Sequence, residues 1–221
     1  MDVPDLNLPQ GEIIGIIGYN GAGKSTFARC LCGLDKKARG VLEMDGASYD
    51  AKQRRHISYM VMQDVNHQLF TEDVLDELLL SMDGEDEKAD TACAKEILTS
   101  LDLLEKAKLH PMSLSGGEKQ RVAIGSAIAS DKKILIFDEP TSGLDCRHML
   151  EVSDNLNRLK ELGKSLFLIT HDPELIYKCC TYLLFIQDNK VLWHRPMDDE
   201  AIKLLRAFFS HEQGANVTNA T

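Results

Sequence analysis

Residues 18 to 26 read GYNGAGKST, and no other stretch of the chain narrows its fold so far. They match G-x-x-x-x-G-K-[ST] at Gly18, Gly23, Lys24 and Ser25. An apolar run, Ile13 to Ile17, comes before them, and Phe27 to Leu34 can continue as a helix after them. Strand, glycine loop and helix in that order make a cradle for phosphate. Glycines turn backbone N–H groups inward and let an anion come close. The helix that follows points its positive end at the same place. Asn20, Gly21, Ala22 and Thr26 complete the loop. Lys24 is expected to reach the β- and γ-phosphates of a nucleoside triphosphate, and the Ser25 hydroxyl to hold Mg²⁺.

The chain has 221 residues, 43% of them hydrophobic, enough for one good core with a small subdomain. A formal net charge of −10 disfavours broad nucleic-acid binding. The six cysteines form no pair of C-x-x-C clusters, so zinc is not expected; reduced thiols in a cytosolic setting are the simplest reading. No apolar run approaches the ~20 residues of a membrane helix, and the acidic N-terminus lacks the basic start of a secretory signal.

Pro4, Pro9 and Gly11 make residues 1 to 11 irregular. Glu12 to Ile17, Ile57 to Met62, Lys133 to Phe137 and Leu166 to Thr170 read as buried strands of a parallel sheet. Asp45-Gly46 and Asp188-Asn189 sit between short β-like runs and predict two hairpins. Gln53 to His56 reads as a solvated basic loop. Thr71 is the expected cap of a helix with Val74, Leu75, Leu78 and Leu79 on one face. Gly84 to Asp90 reads as an acidic linker. A second helix is expected over Thr91 to Leu104 with Ile97, Leu98, Leu101 and Leu104 inward, and a third from Ser115 to Ala129. Further helices are expected over Leu150 to Leu162, from Asp172-Pro173 through Cys179, and over residues 198 to 209. The polar tail GANVTNAT is expected to fray.

Three further sites carry chemistry. ILIFDE, residues 134 to 139, puts Asp138 and Glu139 at the carboxyl end of a strand, the edge that faces the ligand crevice in open α/β sheets. Asp138 can hold Mg²⁺, and Glu139 can polarise an attacking water. In LSGGEKQ, Ser115 and Glu118 form a capping box around Gly116 and Gly117, so a helix start is bared for phosphate. His171 follows a buried strand at the same edge as the carboxylates, where it can contact a γ-phosphate or orient water.

Together these pieces resemble the ATP-binding subunit of ABC transporters. GYNGAGKST corresponds to Walker A, Gln63 to the Q-loop glutamine, LSGGEKQ to the signature, ILIFDEP to Walker B, SGLD (residues 142 to 145) to the D-loop and His171 to the switch histidine. The stretches MQDVNHQLFTEDVLDEL and LDLLEKAKLHPMSLSGGEKQRVAIGSAIA look like the ATPases of energy-coupling-factor importers and related cobalt importers. In that setting His67 and Gln68 shape the loop near Gln63.

The resemblance implies an α/β fold of P-loop, RecA-like type: a parallel-sheet core with an inserted α-helical subdomain and small antiparallel β hairpins. Residues 1–71 and 131–221 would form the core, and 72–130 the helical part. It implies ATP and Mg²⁺ as ligands and catalytic roles for Glu139, His171 and Gln63. Mg²⁺ would lie at Ser25, Asp138 and Gln63, and Asp145 would join the ATP-binding set. It implies a head-to-tail pair in which Ser115, Gly116 and Gly117 reach the partner's ATP in trans. A second ATPase subunit or domain, in a homo- or heterodimer, and a polytopic membrane transport subunit are the implied partners, with no nucleic acid, on the cytoplasmic face of the membrane as a peripheral protein. One departure stands out: seventeen residues precede Gly18 and none is aromatic, whereas the family stacks an aromatic there on adenine. On that basis the chain is one half of a tandem ATPase or a shortened piece, or adenine is held differently. A soluble ATPase acting on ribosomes or DNA is the alternative, and a regulatory module without turnover a third; intact Glu139 and His171 speak against the last.

Overall fold

In a computed structural model of the chain, residues 3, 5–84 and 86–218 are described, with side chains up to residue 210. The first strand, β1 (Ile13–Ile17), runs into the glycine loop and helix α1 (Lys24–Leu31). A small hairpin follows, β2 (Leu42–Met44) and β3 (Ala47–Tyr49), paired antiparallel. Its turn residues Asp45 and Gly46 both have positive φ, 54° and 72°, the backbone an Asp-Gly hairpin turn requires.

Helix α2 (Ala51–Ile57) then leads to strand β4 (Ser58–Val61). Here the structure corrects the solvated loop read for Gln53 to His56. Asp50 and Gln53 form a capping box, with both bonds at 2.8 Å, and that box starts a helix. Arg54 is buried and donates to the Gly40 carbonyl; Arg55 donates to that of Gly33. Both arginines tie the chain after α1 to α2; Arg54 does so from the interior, while Arg55 stays exposed as read.

Helices α3 (Val74–Leu79), α4 (Glu87–Ser100) and α5 (Gly116–Ala129) come next and pack on one another. Asp73, not Thr71, caps α3, because the Thr71 hydroxyl is drawn to the buried Glu77 carboxylate. Asp86 caps α4, so this helix starts and ends about four residues before the expected span. Leu98 and Leu101 point inward as read, but Leu104 lies on a separate 3₁₀ turn and is exposed.

Strand β5 (Ile134–Asp138), helix α6 (Cys146–Glu161), strand β6 (Ser165–Ile169), helix α7 (Pro173–Cys179), strands β7 (Tyr182–Gln187) and β8 (Lys190–Pro196) and helix α8 (Asp199–Thr218) complete the chain. Asp145 caps α6, which begins four residues before the expected Leu150. Helix α8 is longer than the span read for it. Its backbone takes in residues 214 to 218 of the tail expected to fray, and residues 219–221 lie outside those described.

Six strands form one sheet in the order β4-β5-β6-β1-β7-β8. All neighbours are parallel except β7 and β8. Both faces are covered, which explains the unbroken apolar runs. Ile13 and Ile17 face the helices of α3 to α6, while Ile14 and Ile16 face α1 and the β2–β3 hairpin. One apolar cluster runs from α3, α4 and α5 into the sheet without a break. Because five strands are parallel, their carboxyl ends meet at one edge. That edge carries the glycine loop after β1, Gln63 after β4, Glu139 after β5, His171 after β6 and Asn189 after β7.

Candidate functional site

The glycine loop has the backbone that its sequence demands. Gly18 and Gly23 hold φ of 153° and 104°, where L side chains are strained. Space is equally closed to them: a Cβ on Gly18 would lie 2.1 Å from the Ile186 carbonyl oxygen, and one on Gly23 would lie 2.6 Å from Asn189 Oδ1. Gly23 is the N-cap of α1 and supplies no side chain, so no cap side chain covers the first N–H groups of that helix. Those groups, with the helix dipole behind them, make an anion site.

Lys24 folds back over the loop. It is only 8% exposed, and its Nζ donates to the carbonyls of Gly18 (2.7 Å) and Tyr19 (3.1 Å) and lies 3.4 Å from His171 Nε2. Asp138, at the end of β5, is buried and bonds to Ser25. Burial pushes its carboxyl above the ordinary range, with the Ser25 bond and Lys24 pulling the other way.

Glu139 stands one residue on with φ +53°, a left-handed backbone that costs about 1 kcal/mol for such a residue. Its N–H donates to the Ile169 carbonyl at 2.8 Å, which pins the turn to β6. Its Oε2 accepts from the Thr170 hydroxyl and the His171 N–H, both at 3.3 Å, and Oε1 lies 3.7 Å from His171 Nε2. Burial raises its carboxyl too, against the pull of His171. Gln63, Asp138, Glu139, His171 and residues 20 to 26 thus line one cleft of about 340 Å³. The oxygen donors of Ser25, Asp138 and Gln63 suit a small hard cation. Among the described residues no cluster of three or more His, Cys, Asp or Glu is arranged to hold a metal.

LSGGEKQ builds a different cleft, of about 570 Å³. Ser115 caps α5: its Oγ accepts from the Glu118 N–H, while its own N–H donates to Glu118 Oε2 at 2.8 Å. Glu118 also pairs with Lys106, and these contacts lower its carboxyl to about 2. The Ser115 hydroxyl accepts the cap bond and keeps a proton to donate. A Cβ on Gly116 would meet nothing within 4 Å, so that side of the helix tip stands open. Gly117 and Asp145 line the same cleft; Asp145 caps α6 and sits 2.8 Å from His148 Nδ1. Gln63 borders both clefts.

Gln68 braces the loop beside Gln63: its amide nitrogen donates to the Met60 carbonyl and the Tyr59 hydroxyl, and its oxygen accepts from the Met62 N–H. His67 is exposed against Asp64. Two residues of the clefts lie in motifs that the sequence reads but take a role that it does not assign. Asn189 reads as a hairpin turn, yet its N–H donates to the Ala22 carbonyl at 2.9 Å and it lines the first cleft. Gln120 of α5 reaches from LSGGEKQ to the Glu139 carbonyl at 3.5 Å, joining the two sites.

A glycine cradle at the end of β1, beside carboxylates at the end of a parallel neighbour, defines the P-loop class of α/β proteins. The family model described as ABC transporter matches residues 1–142, and the chain belongs to that family. A putative ABC transporter ATP-binding protein of Treponema denticola is 48% identical over 182 residues, covering 82% of this chain and 36% of that protein. The methionine import ATP-binding protein MetN of Bacillus subtilis is 36% identical over 85% of this chain and 57% of its own length. The chain therefore spans about a third to just over half of these relatives. Among solved structures, the cassette MJ0796, a dimer bound to ADP and Pi in a post-hydrolysis state, superposes with a TM-score of 0.76 at 27% identity over 87% of this chain and 88% of that one. The cbiO1 protein of Clostridium perfringens, part of the cbiONQ transporter complex, gives 0.72 at 25% identity over 97% and 86%. Among the described residues no helix is long and apolar enough to cross a membrane.

Proposed function

We propose that the chain binds and hydrolyses Mg·ATP as one half of a head-to-tail pair and powers import through a separate membrane subunit. One observation carries the reading: the two phosphate-ready helix ends of the chain open into two separate clefts that share Gln63. A single triphosphate then uses the glycine loop of one chain and the Ser115 tip of a neighbour. The dimeric MJ0796 cassette with ADP and Pi supports this pairing.

In this account Gly18, Asn20, Gly21, Ala22, Gly23 and Thr26 wrap the phosphates with backbone N–H groups, and Lys24 turns its ammonium from the loop carbonyls to the β- and γ-oxygens. Ser25, Asp138 and Gln63 would hold Mg²⁺, which neutralises phosphate charge. Glu139 takes a proton from the attacking water as its oxygen bonds to the γ-phosphorus and the bond to the ADP oxygen breaks. A carboxylate raised by burial is a better base at neutral pH than a solvated one. His171 donates to the γ-phosphate, while Glu139 and Thr170 keep it in place. Ser115, Gly116, Gly117 and Asp145 act from the other chain. Residues 72–130 form the helical unit that carries the signature, and 1–71 with 131–221 the ATP-binding core. Gln63, between the clefts, passes the nucleotide state to that unit.

The finer reading is an importer of the energy-coupling-factor or cobalt type, acting from the cytoplasmic face of the membrane. The sequence resemblance around Gln63 and LSGGEKQ supports it, as does the 97% coverage by cbiO1 of the cbiONQ complex. A methionine-type importer is the second reading, favoured by identity to MetN proteins. Affinity purification from native membranes tests both. Recovery of a polytopic subunit supports transport, and uptake assays with that complex distinguish metal or vitamin from methionine. A chain that brings down ribosomes or DNA instead would overturn the transport reading.

A further inference from the structure

Tyr19 opens the glycine loop and faces two ways. Its carbonyl accepts from the Ala22 N–H at 3.0 Å and from Lys24 Nζ at 3.1 Å, so its backbone sets the loop and the ammonium together. Its ring turns to α8, with its centroid 5.0 Å from that of Phe208. Phe208 is 7% exposed and meets Phe185 of β7 edge-on at 5.7 Å; Phe185 in turn stacks flat on Trp193 of β8 at 5.2 Å. A line of rings therefore runs from the loop through α8 into the sheet.

We propose that Phe208 is a positioning residue for nucleotide binding: it clamps the Tyr19 ring and so holds the glycine loop in the form that receives phosphate. The inference rests on the reading that this loop binds ATP. A loop with three glycines at positive φ, Gly18, Gly21 and Gly23, has many other conformations open to it. Ordering it on binding costs entropy, and a ring fixed beforehand on a packed helix lowers that cost. The reacting groups lie on the other side of β1, at the ends of β5 and β6. The clamp thus acts on ATP affinity and leaves the chemical step alone.

The test is a double-mutant cycle on the full chain, read by titration with Mg·ATP and by steady-state turnover. Tyr19→Ala removes a ring that is 42% exposed, at little cost to the fold. Phe208→Leu keeps the core filled, and Tyr19→Phe keeps the ring pair. Tyr19→Ala and Phe208→Leu are each expected to weaken ATP binding about three- to tenfold, the scale of one aromatic pair. Turnover at saturating ATP stays within about twofold. The double variant is no weaker than the worse single one, and Tyr19→Phe binds like the wild type. Wild-type affinity in Tyr19→Ala, or losses that multiply in the double variant, would overturn the clamp while leaving ATP binding intact. A wild-type chain that binds no Mg·ATP would remove the nucleotide reading itself, and the clamp with it.

Discussion

Glu139 and His171 hold each other: Oε2 of the glutamate accepts the His171 N–H at 3.3 Å, and Oε1 lies 3.7 Å from the ring Nε2. The end of β6 thereby aims a carboxylate that belongs to the end of β5. If that carboxylate takes the proton of the attacking water, Glu139→Gln should keep Mg·ATP affinity within about twofold and lower turnover by about 10²–10⁴-fold. Nucleotide titration beside a phosphate-release assay checks this. Undiminished turnover would remove Glu139 from the role.

Burial lifts both Asp138 and Glu139 above the ordinary carboxylate range, which links pH to activity and to stability in opposite senses. If Glu139 is the base, turnover needs it ionised, and the acid limb of the rate profile should lie above the ordinary glutamate value of 4.5. For stability, a folded value above the unfolded one favours the protonated fold. That contribution is fully present below the unfolded value and is lost as pH rises through the folded one. Nucleotide-free Glu139→Gln should therefore melt higher than the wild type at pH 8 and level with it near pH 4. Thermal scans at the two pH values decide it.

Two glycines of the site should part company under substitution. Gly18→Ala puts a Cβ 2.1 Å from a backbone carbonyl at positive φ and should cost about 2–4 kcal/mol or prevent folding. At Gly116 a Cβ meets nothing, so Gly116→Ala should leave stability unchanged or raise it by up to about 1 kcal/mol. On the proposed function its ATPase rate should nonetheless fall, because the open side of that helix tip would receive phosphate. Denaturant unfolding and turnover, measured on both variants, separate packing from ligand demand.

The Ser115–Glu118 capping box is a stability device with its own pH signature. Glu118→Ala should cost about 1 kcal/mol at pH 7, through the lost cap and the Lys106 pair. A folded value lowered to about 2 means this stability is present above the unfolded value of 4.5 and is lost as pH falls toward 2. The gap between wild type and variant should close over that window in urea titrations.

What could be read from the chain alone was what local rules decide. Strand β1 with its glycine loop, ILIFDE, the Asp45-Gly46 and Asp188-Asn189 turns and the Ser115 box each depend on neighbours a few residues apart, and each forms as read. The Asp50–Gln53 box is equally local, but the charges of Arg54 and Arg55 that follow it mask the helix start. At Thr71 and Asp73 two competent caps lie two residues apart, and the choice falls to Glu77, whose carboxylate takes the Thr71 hydroxyl. The approach of Asn189 to Gly23 and of Phe208 to Tyr19 follows from strand order and the path of α8, which no local pattern encodes.

On the proposed function one triphosphate joins the glycine loop of one chain to the Ser115 tip of another. Light scattering of Glu139→Gln with and without Mg·ATP, together with the same variant carrying Ser115→Arg, tests it most directly. The mass should double from the 24.7 kDa of one chain only when ATP is present, and should stay single once Ser115 is replaced. A chain that binds ATP yet remains single at every concentration, or doubles regardless of Ser115, would contradict it.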